Sequence, residues 1–107
     1  MQALQGSVIQ RNDVTDPSTN KDDLNAAINV PVTIRNASNP AGGGALASTY
    51  DINGSPVSNP TTTDNNGNYL VYVAEGSYDV IANEGLTNET IEAGIIAGVD
   101  LSQDLTL

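Results

Sequence analysis

The stretch NYLVYVAEGSYDVIA, residues 68–82, decides the fold. Its first half is dense in aromatic and β-branched residues, which favour strands, and the tight-turn sequence DNNG precedes it at residues 64–67. A Glu-Gly pair interrupts the run, after which a second arm has Tyr78, Val80 and Ala82 on one face and the polar Ser77 and Asp79 on the other. Two alternating arms joined by a two-residue turn predict a β-hairpin, with its register set by the turn.

Composition restricts the function more sharply than the fold. The chain has 107 residues, enough for one domain (residues 1–107) with one core. It contains neither cysteine nor histidine, which removes disulfides, thiolate metal sites and the commonest catalytic base. No activated nucleophile can be assembled from the remaining residue types, because Lys21, the one lysine, lies in a polar stretch. We therefore predict no enzymatic activity and no cofactor.

The charge balance bears on partners. Thirteen acidic side chains against three basic ones give a net charge of −10, which opposes binding to nucleic acid or to an anionic membrane surface. The first residues have neither a basic nor an apolar segment of the secretory type, and no window approaches the roughly 18 apolar residues of a membrane span. We expect a protein that is made and kept in a cytosol.

The rest of the chain reads as short strands separated by turns rich in Gly, Asn, Ser and Thr. Pro31 favours an edge or the start of a strand, because it cannot donate to the ladder. Further strands or extended segments are predicted at residues 3–11, 30–36, 45–51, 55–63, 86–96 and 99–107. About seven strands without a convincing helix predict an all-β protein, a single antiparallel Greek-key β-sandwich.

Two segments break this pattern. Residues 12–29 are polar and predict a long loop with at most one short helical turn, capped by Asn20 or Asp22. The glycine run at residues 42–44 is not followed by the Lys-Ser/Thr pair of a phosphate-binding loop, and we interpret it as a flexible connection.

The four tyrosines are candidates for a contact surface. Tyr69 and Tyr78 share the alternation of the valines and are expected in the core, whereas Tyr72 faces the other way, beside Leu70. Tyr50 and Tyr72 are therefore the preferred aromatic contact residues. Two of the three cations, Lys21 and Arg35, complete the set of candidate interaction residues.

Three features of the sequence could carry chemistry, and each also has a plainer interpretation. Paired carboxylates, as at residues 22–23, can act as acid and base, but an acidic surface is the simpler interpretation. The segments DINGS at 51–55 and DNNGN at 64–68 resemble calcium loops superficially, yet lack the sixth-position glycine and distal glutamate, which favours tight turns. Lys21 would need a buried position on a strand to form an isopeptide bond with an asparagine.

A family resemblance rests on an ordered set of segments: ALASTYD at residues 45–51, SNPTTTD at 58–64, the aromatic strand at 69–73 and EGSYDV at 75–80. This combination resembles a module found repeatedly in tail fibres, tailspikes and other appendage proteins of bacteriophages. The resemblance covers about residues 30–85. The same pattern is similar to transthyretin-like and collagen-adhesin B-type sandwiches, including carboxypeptidase regulatory-like domains.

The resemblance implies a virion structural protein that attaches an appendage, spaces it, or presents a surface to other virion proteins. It further implies a homo-oligomer, with a trimer favoured, and assembly in the host bacterial cytoplasm. Two alternatives stay open. One is a capsid-decoration, head-fibre or glycan-binding module, with residues 12–29 and 37–44 as the loops that contact a host surface glycan. The other is a bacterial surface adhesin repeat.

Overall fold

The computed structural model describes residues 1–11, 24–98 and 104–107, and within them the protein is an all-β sandwich of two mainly antiparallel sheets. No helix occurs in these residues, and so none that could span a membrane. The strands are β1 (Gln2–Arg11), β2 (Leu24–Ala26), β3 (Pro31–Asn36), β4 (Thr61–Thr62), β5 (Asn68–Val73), β6 (Ser77–Ala82), β7 (Thr90–Ile96) and β8 (Leu105–Thr106).

The first sheet is built around β1. Its first six residues pair antiparallel with β5, so that Leu4 lies opposite Val71. Its last three residues pair antiparallel with β2. Val8 and Ile9 pair with β8 in the parallel sense. The strand thus joins segments that lie near the start, the middle and the end of the sequence.

The second sheet has the strand order β4-β3-β6-β7. Ile34 of β3 lies opposite Val80 of β6, and the ladder between β6 and β7 shifts register between Tyr78 and Val80. Gly94, with a positive φ of 67°, lies on β7 at this irregularity. A β-bulge of this kind bends and twists an outer strand.

Both sheets contribute to one core. Residues at alternate positions of β1, β3, β5 and β6 point into it, as the period of two requires. The buried apolar residues of this cluster are Leu4, Val8, Ala27, Val32, Ile34, Ala47, Tyr69, Val71, Val73, Tyr78, Val80, Ala82, Ile95, Ala97 and Leu105. The prediction that Tyr69 and Tyr78 lie in the core is confirmed, and burial raises the pKa of both phenols.

The predicted hairpin of residues 68–82 is wrong. Both arms are strands, but β5 pairs with β1 and β6 pairs with β3 and β7, so the two arms belong to different sheets. The short link between them crosses the sandwich, and the Tyr78 hydroxyl donates to the Ala74 carbonyl at 2.6 Å across it. The two apolar rows consequently lie in one core from opposite sheets instead of side by side.

Other predicted elements have mixed outcomes. The strands predicted at 3–11 and 30–36 are confirmed, with Pro31 at the start of β3. Of the segment predicted at 86–96, residues 90–96 form β7, whereas residues 86–89 are not a strand. The loop predicted at 12–29 is wrong at its end, because residues 24–26 form β2; residues 12–23 lie outside the described part. Residues 45–51 make only isolated bridges. Of the strand predicted at 99–107, β8 is observed and residues 99–103 are not described.

The two segments that resemble calcium loops in sequence are tight turns. Asp64 Oδ1 accepts from the backbone N–H of Asn66 at 2.8 Å and of Asn68 at 3.0 Å. Asp51 Oδ1 accepts in the same way from the residues two and four positions later. Each carboxylate thus organises its own turn, as Asx turns do.

Candidate functional site

Two of the predicted contact residues, Tyr50 and Tyr72, lie side by side. Their backbones exchange two hydrogen bonds, each 2.8 Å long, which fasten Tyr50 to the outer edge of β5. Tyr50 begins a small hairpin in which it pairs with Pro56 and Asp51 N–H donates to the Ser55 carbonyl. Both tyrosines are half-buried.

This arrangement borders a shallow groove of about 340 Å³ between β5, β4 and the small hairpin. We call it the edge groove and define it by its lining residues, Tyr50, Asp51, Ile52, Val57, Thr61, Leu70, Val71 and Tyr72. Three of these are large apolar residues with exposed side chains: Ile52 at 76%, Leu70 at 50% and Val57 at 39%. Apolar side chains gathered at one depression are typical of a contact surface.

The groove offers few polar side chains for chemistry. Oδ1 of Asp51 already accepts two backbone hydrogen bonds within its turn. No group of three or more acidic, histidine or cysteine side chains in residues 1–11, 24–98 and 104–107 could hold a metal ion. The arrangement is therefore suited to binding through shape and apolar contact.

Arg35, the third predicted contact residue, is part of the scaffold. Its Nε and Nη2 donate to the two carboxylate oxygens of Glu84 at 2.6 and 2.7 Å, and Nη1 donates to the Gly44 carbonyl at 3.0 Å. Hydrogen bonding from Arg35 lowers the pKa of Glu84. The guanidinium thus ties β3 to two loops, and Arg35 does not line the edge groove.

Lys21, the fourth predicted contact residue, lies outside the described residues. The other loop proposed for glycan contact, residues 37–44, is described and is held in place. Asp79 Oδ2 accepts from the N–H of Gly42 at 2.9 Å and of Ser38 at 3.3 Å. A Cβ at Gly44 would clash with the Asn36 carbonyl oxygen. The flexible connection predicted at residues 42–44 is therefore wrong.

Asp79 was missed by sequence reasoning, which placed it on a polar face of β6. Its side chain is fully buried, because the 37–44 loop covers this face, and Oδ1 accepts a third bond from Gly94 N–H at 3.0 Å. Burial alone would raise the pKa of Asp79, but the hydrogen bonds from Gly42, Gly94 and Ser38 hold it below its ordinary value. The carboxylate stabilises the loop and the β7 bulge together.

A second depression, of about 390 Å³, lies where β1 meets β5 and is more polar. Two of its lining side chains pair with each other: Ser7 Oγ donates to Asn68 Oδ1 at 2.7 Å. The Ser7 N–H donates to Asp104 Oδ1 at 3.1 Å. These pairs connect strands of the sandwich, so the edge groove is the better candidate for a binding site.

Comparisons of the chain with protein-family models, curated proteins and solved structures found no match.

Proposed function

We propose that this chain is a non-enzymatic structural module of a bacteriophage virion, associated with the tail, where it attaches or spaces a fibre or tailspike. One observation supports the proposal: polar residues of the segments that carry the resemblance make hydrogen bonds that hold the sandwich together. Asn59 holds the edge of β3, and Asp64 holds the turn that precedes β5. Asp79 holds the 37–44 loop against β6. What such a module offers a partner is a fixed shape.

The composition of purified particles tests this role. Virions from a host that carries the gene would be banded on a density gradient, and the chain quantified by mass spectrometry against the major capsid protein. We expect a fixed copy number per particle, in the tail fraction after heads and tails are separated. Recovery with the heads would favour capsid decoration instead. Recovery only in the supernatant or in the bacterial envelope would contradict a virion role.

The proposal includes self-association, with a trimer favoured by the resemblance to fibres. Sedimentation equilibrium distinguishes a monomer of 11.0 kDa from a trimer with a total mass of about 33 kDa. A net charge of −10 on each copy opposes close approach, so we expect association to strengthen with salt. A monomer at all concentrations and salt levels would contradict the oligomer, while leaving attachment to another virion protein in place.

A second candidate, a glycan-binding module, is favoured by Tyr50 and Tyr72 bordering one groove. Binding on a glycan array that is lost in Tyr72→Ala would support it. The apolar character of the remaining lining residues makes it the weaker of the two.

A further inference from the structure

On the outer edge of β5, the backbone N–H and C=O of one residue, Leu70, are available to a partner. Tyr72 uses its N–H and C=O on this side to pair with Tyr50, and the Asn68 carbonyl accepts from Asp64 N–H on the same side. In an antiparallel strand these groups point to the same edge at every second residue. Leu70 lies midway between the two, so its N–H and C=O point outward as well.

Within residues 1–11, 24–98 and 104–107, the loops that flank this edge make no hydrogen bond to the Leu70 backbone. Instead, the small hairpin leaves the edge after Tyr50, and the space that it leaves open beside Leu70 is the edge groove. An unpaired strand edge beside exposed apolar side chains is the arrangement to which an extended peptide adds as a new strand.

We propose that the edge groove binds an extended segment of a partner protein, apolar at alternate residues and basic at its ends, by strand addition at Leu70. This inference rests on the proposed attachment role and names the kind of partner. Main-chain hydrogen bonds at Leu70 provide the pairing. Alternate apolar side chains of the segment pack against Val57, Leu70 and Tyr72.

Charge decides between a basic partner segment and a second copy of this chain. Asp51 and Asp64 lie at the two ends of the exposed edge. Among the residues whose side chains the structure describes, Arg35 is the one basic residue, and it is paired with Glu84. A second copy would bring its own net charge of −10 to this acidic surface. A segment with lysine or arginine at both ends meets complementary charge.

The test uses a fluorescent nine-residue peptide in which valine alternates with threonine or lysine and lysines stand at both ends. Binding to the full chain is followed by fluorescence anisotropy, and the Leu70 amide is followed by NMR. We expect saturable binding that shifts the Leu70 amide and slows its hydrogen exchange. Methylating the three central peptide nitrogens keeps charge and side chains but removes main-chain donors, and should weaken binding at least tenfold.

Matched variants locate the site. Leu70→Ser should weaken peptide binding about tenfold, whereas Leu86→Ser, which removes an exposed leucine elsewhere (60% against 50% for Leu70), should change it less than twofold. A folded circular dichroism spectrum for both variants makes the comparison valid. Equal binding of the N-methylated peptide, or equal loss in both variants, would overturn strand addition in favour of unspecific charge attraction.

Two further outcomes would also overturn it. Glycan binding that depends on Tyr72, without peptide binding, would assign the groove to sugars. Dimerisation that protects the Leu70 amide in the absence of peptide would assign it to a second copy. Failure of peptide binding by a chain that is found in virions would refute this inference alone, whereas binding by a chain absent from virions would refute the proposed function alone.

Discussion

The side chain of Asn59 takes the place of a strand residue opposite Ile34. Its Oδ1 accepts from Ile34 N–H at 3.0 Å, and its Nδ2 donates to the Ile34 carbonyl at 2.7 Å. The same Nδ2 donates to the Ala47 carbonyl at 2.9 Å. One amide thus closes the edge of β3 between β4 and residues 45–47, where an open edge would invite unwanted pairing.

Asn59→Asp should destabilise the fold by about 2–3 kcal/mol, because a carboxylate cannot donate to the two carbonyls and leaves them facing negative charge. Urea unfolding followed by circular dichroism measures the change. Asn65→Asp makes the same substitution at an exposed turn position and should change stability by less than about 0.5 kcal/mol. Similar losses in both variants would contradict the role given to Asn59.

Gly54 and Gly67 provide a matched pair, because each is the fourth residue of an Asp-x-Asn-Gly turn. Gly54 and Gly67 both have positive φ, 82° and 75°, so alanine at either costs about 1–2 kcal/mol of backbone strain. A Cβ at Gly67 would also lie 2.8 Å from the Val8 carbonyl oxygen, whereas at Gly54 it meets only the Met1 side chain. Gly67→Ala should therefore be the more damaging by about 1–3 kcal/mol, measured by thermal or urea unfolding. Equal effects would mean that strain alone matters.

Asp79→Asn should loosen the 37–44 loop. The amide group keeps one acceptor oxygen but turns a donor toward backbone N–H groups, at a cost of about 1–3 kcal/mol. Hydrogen exchange should accelerate at Gly42 and Gly94, the two amides that Asp79 binds most closely. Exchange at Leu4, in the core of the other sheet, serves as the internal control. Unchanged exchange at the two glycines would show that the loop is held by other contacts.

The stability contributed by Asp79 should depend on pH in a defined direction. Its folded-state pKa lies below the ordinary value of 3.8, so the contribution is present above that value and is lost as pH falls through the folded pKa. The difference in unfolding free energy between the natural chain and Asp79→Asn should therefore be constant from pH 7 to 5 and shrink below about pH 4. A difference that grows on acidification would contradict this assignment.

Alternation along the sequence identified strands and faces, but it could not identify strand partners. The residues of 68–82 show which side chains point inward, and Tyr69 and Tyr78 are indeed buried. They contain no information on which edge each arm presents, because a hairpin and a crossing between sheets place the same side chains in the core. Both edges of β6 are occupied, one by β3 and the other by β7, so neither edge is open to β5.

The candidate site was predictable to a similar degree. The outward direction of Tyr72 follows from the period of two, whereas its pairing with Tyr50 depends on a hairpin whose position no local pattern specifies. Asp79 also lies on the face that alternation predicts. Its burial results from a covering loop, which is a tertiary contact.

The position of β1 has a consequence for synthesis. Leu4 and Val8 of β1 leave the ribosome well before their partner strands, because β5 starts only at residue 68 and β8 at residue 105. At about 5–20 residues per second, the nascent chain carries an uncovered apolar strand for several seconds. Chaperone capture during translation is thus to be expected for this chain, and its yield should respond to the speed of elongation.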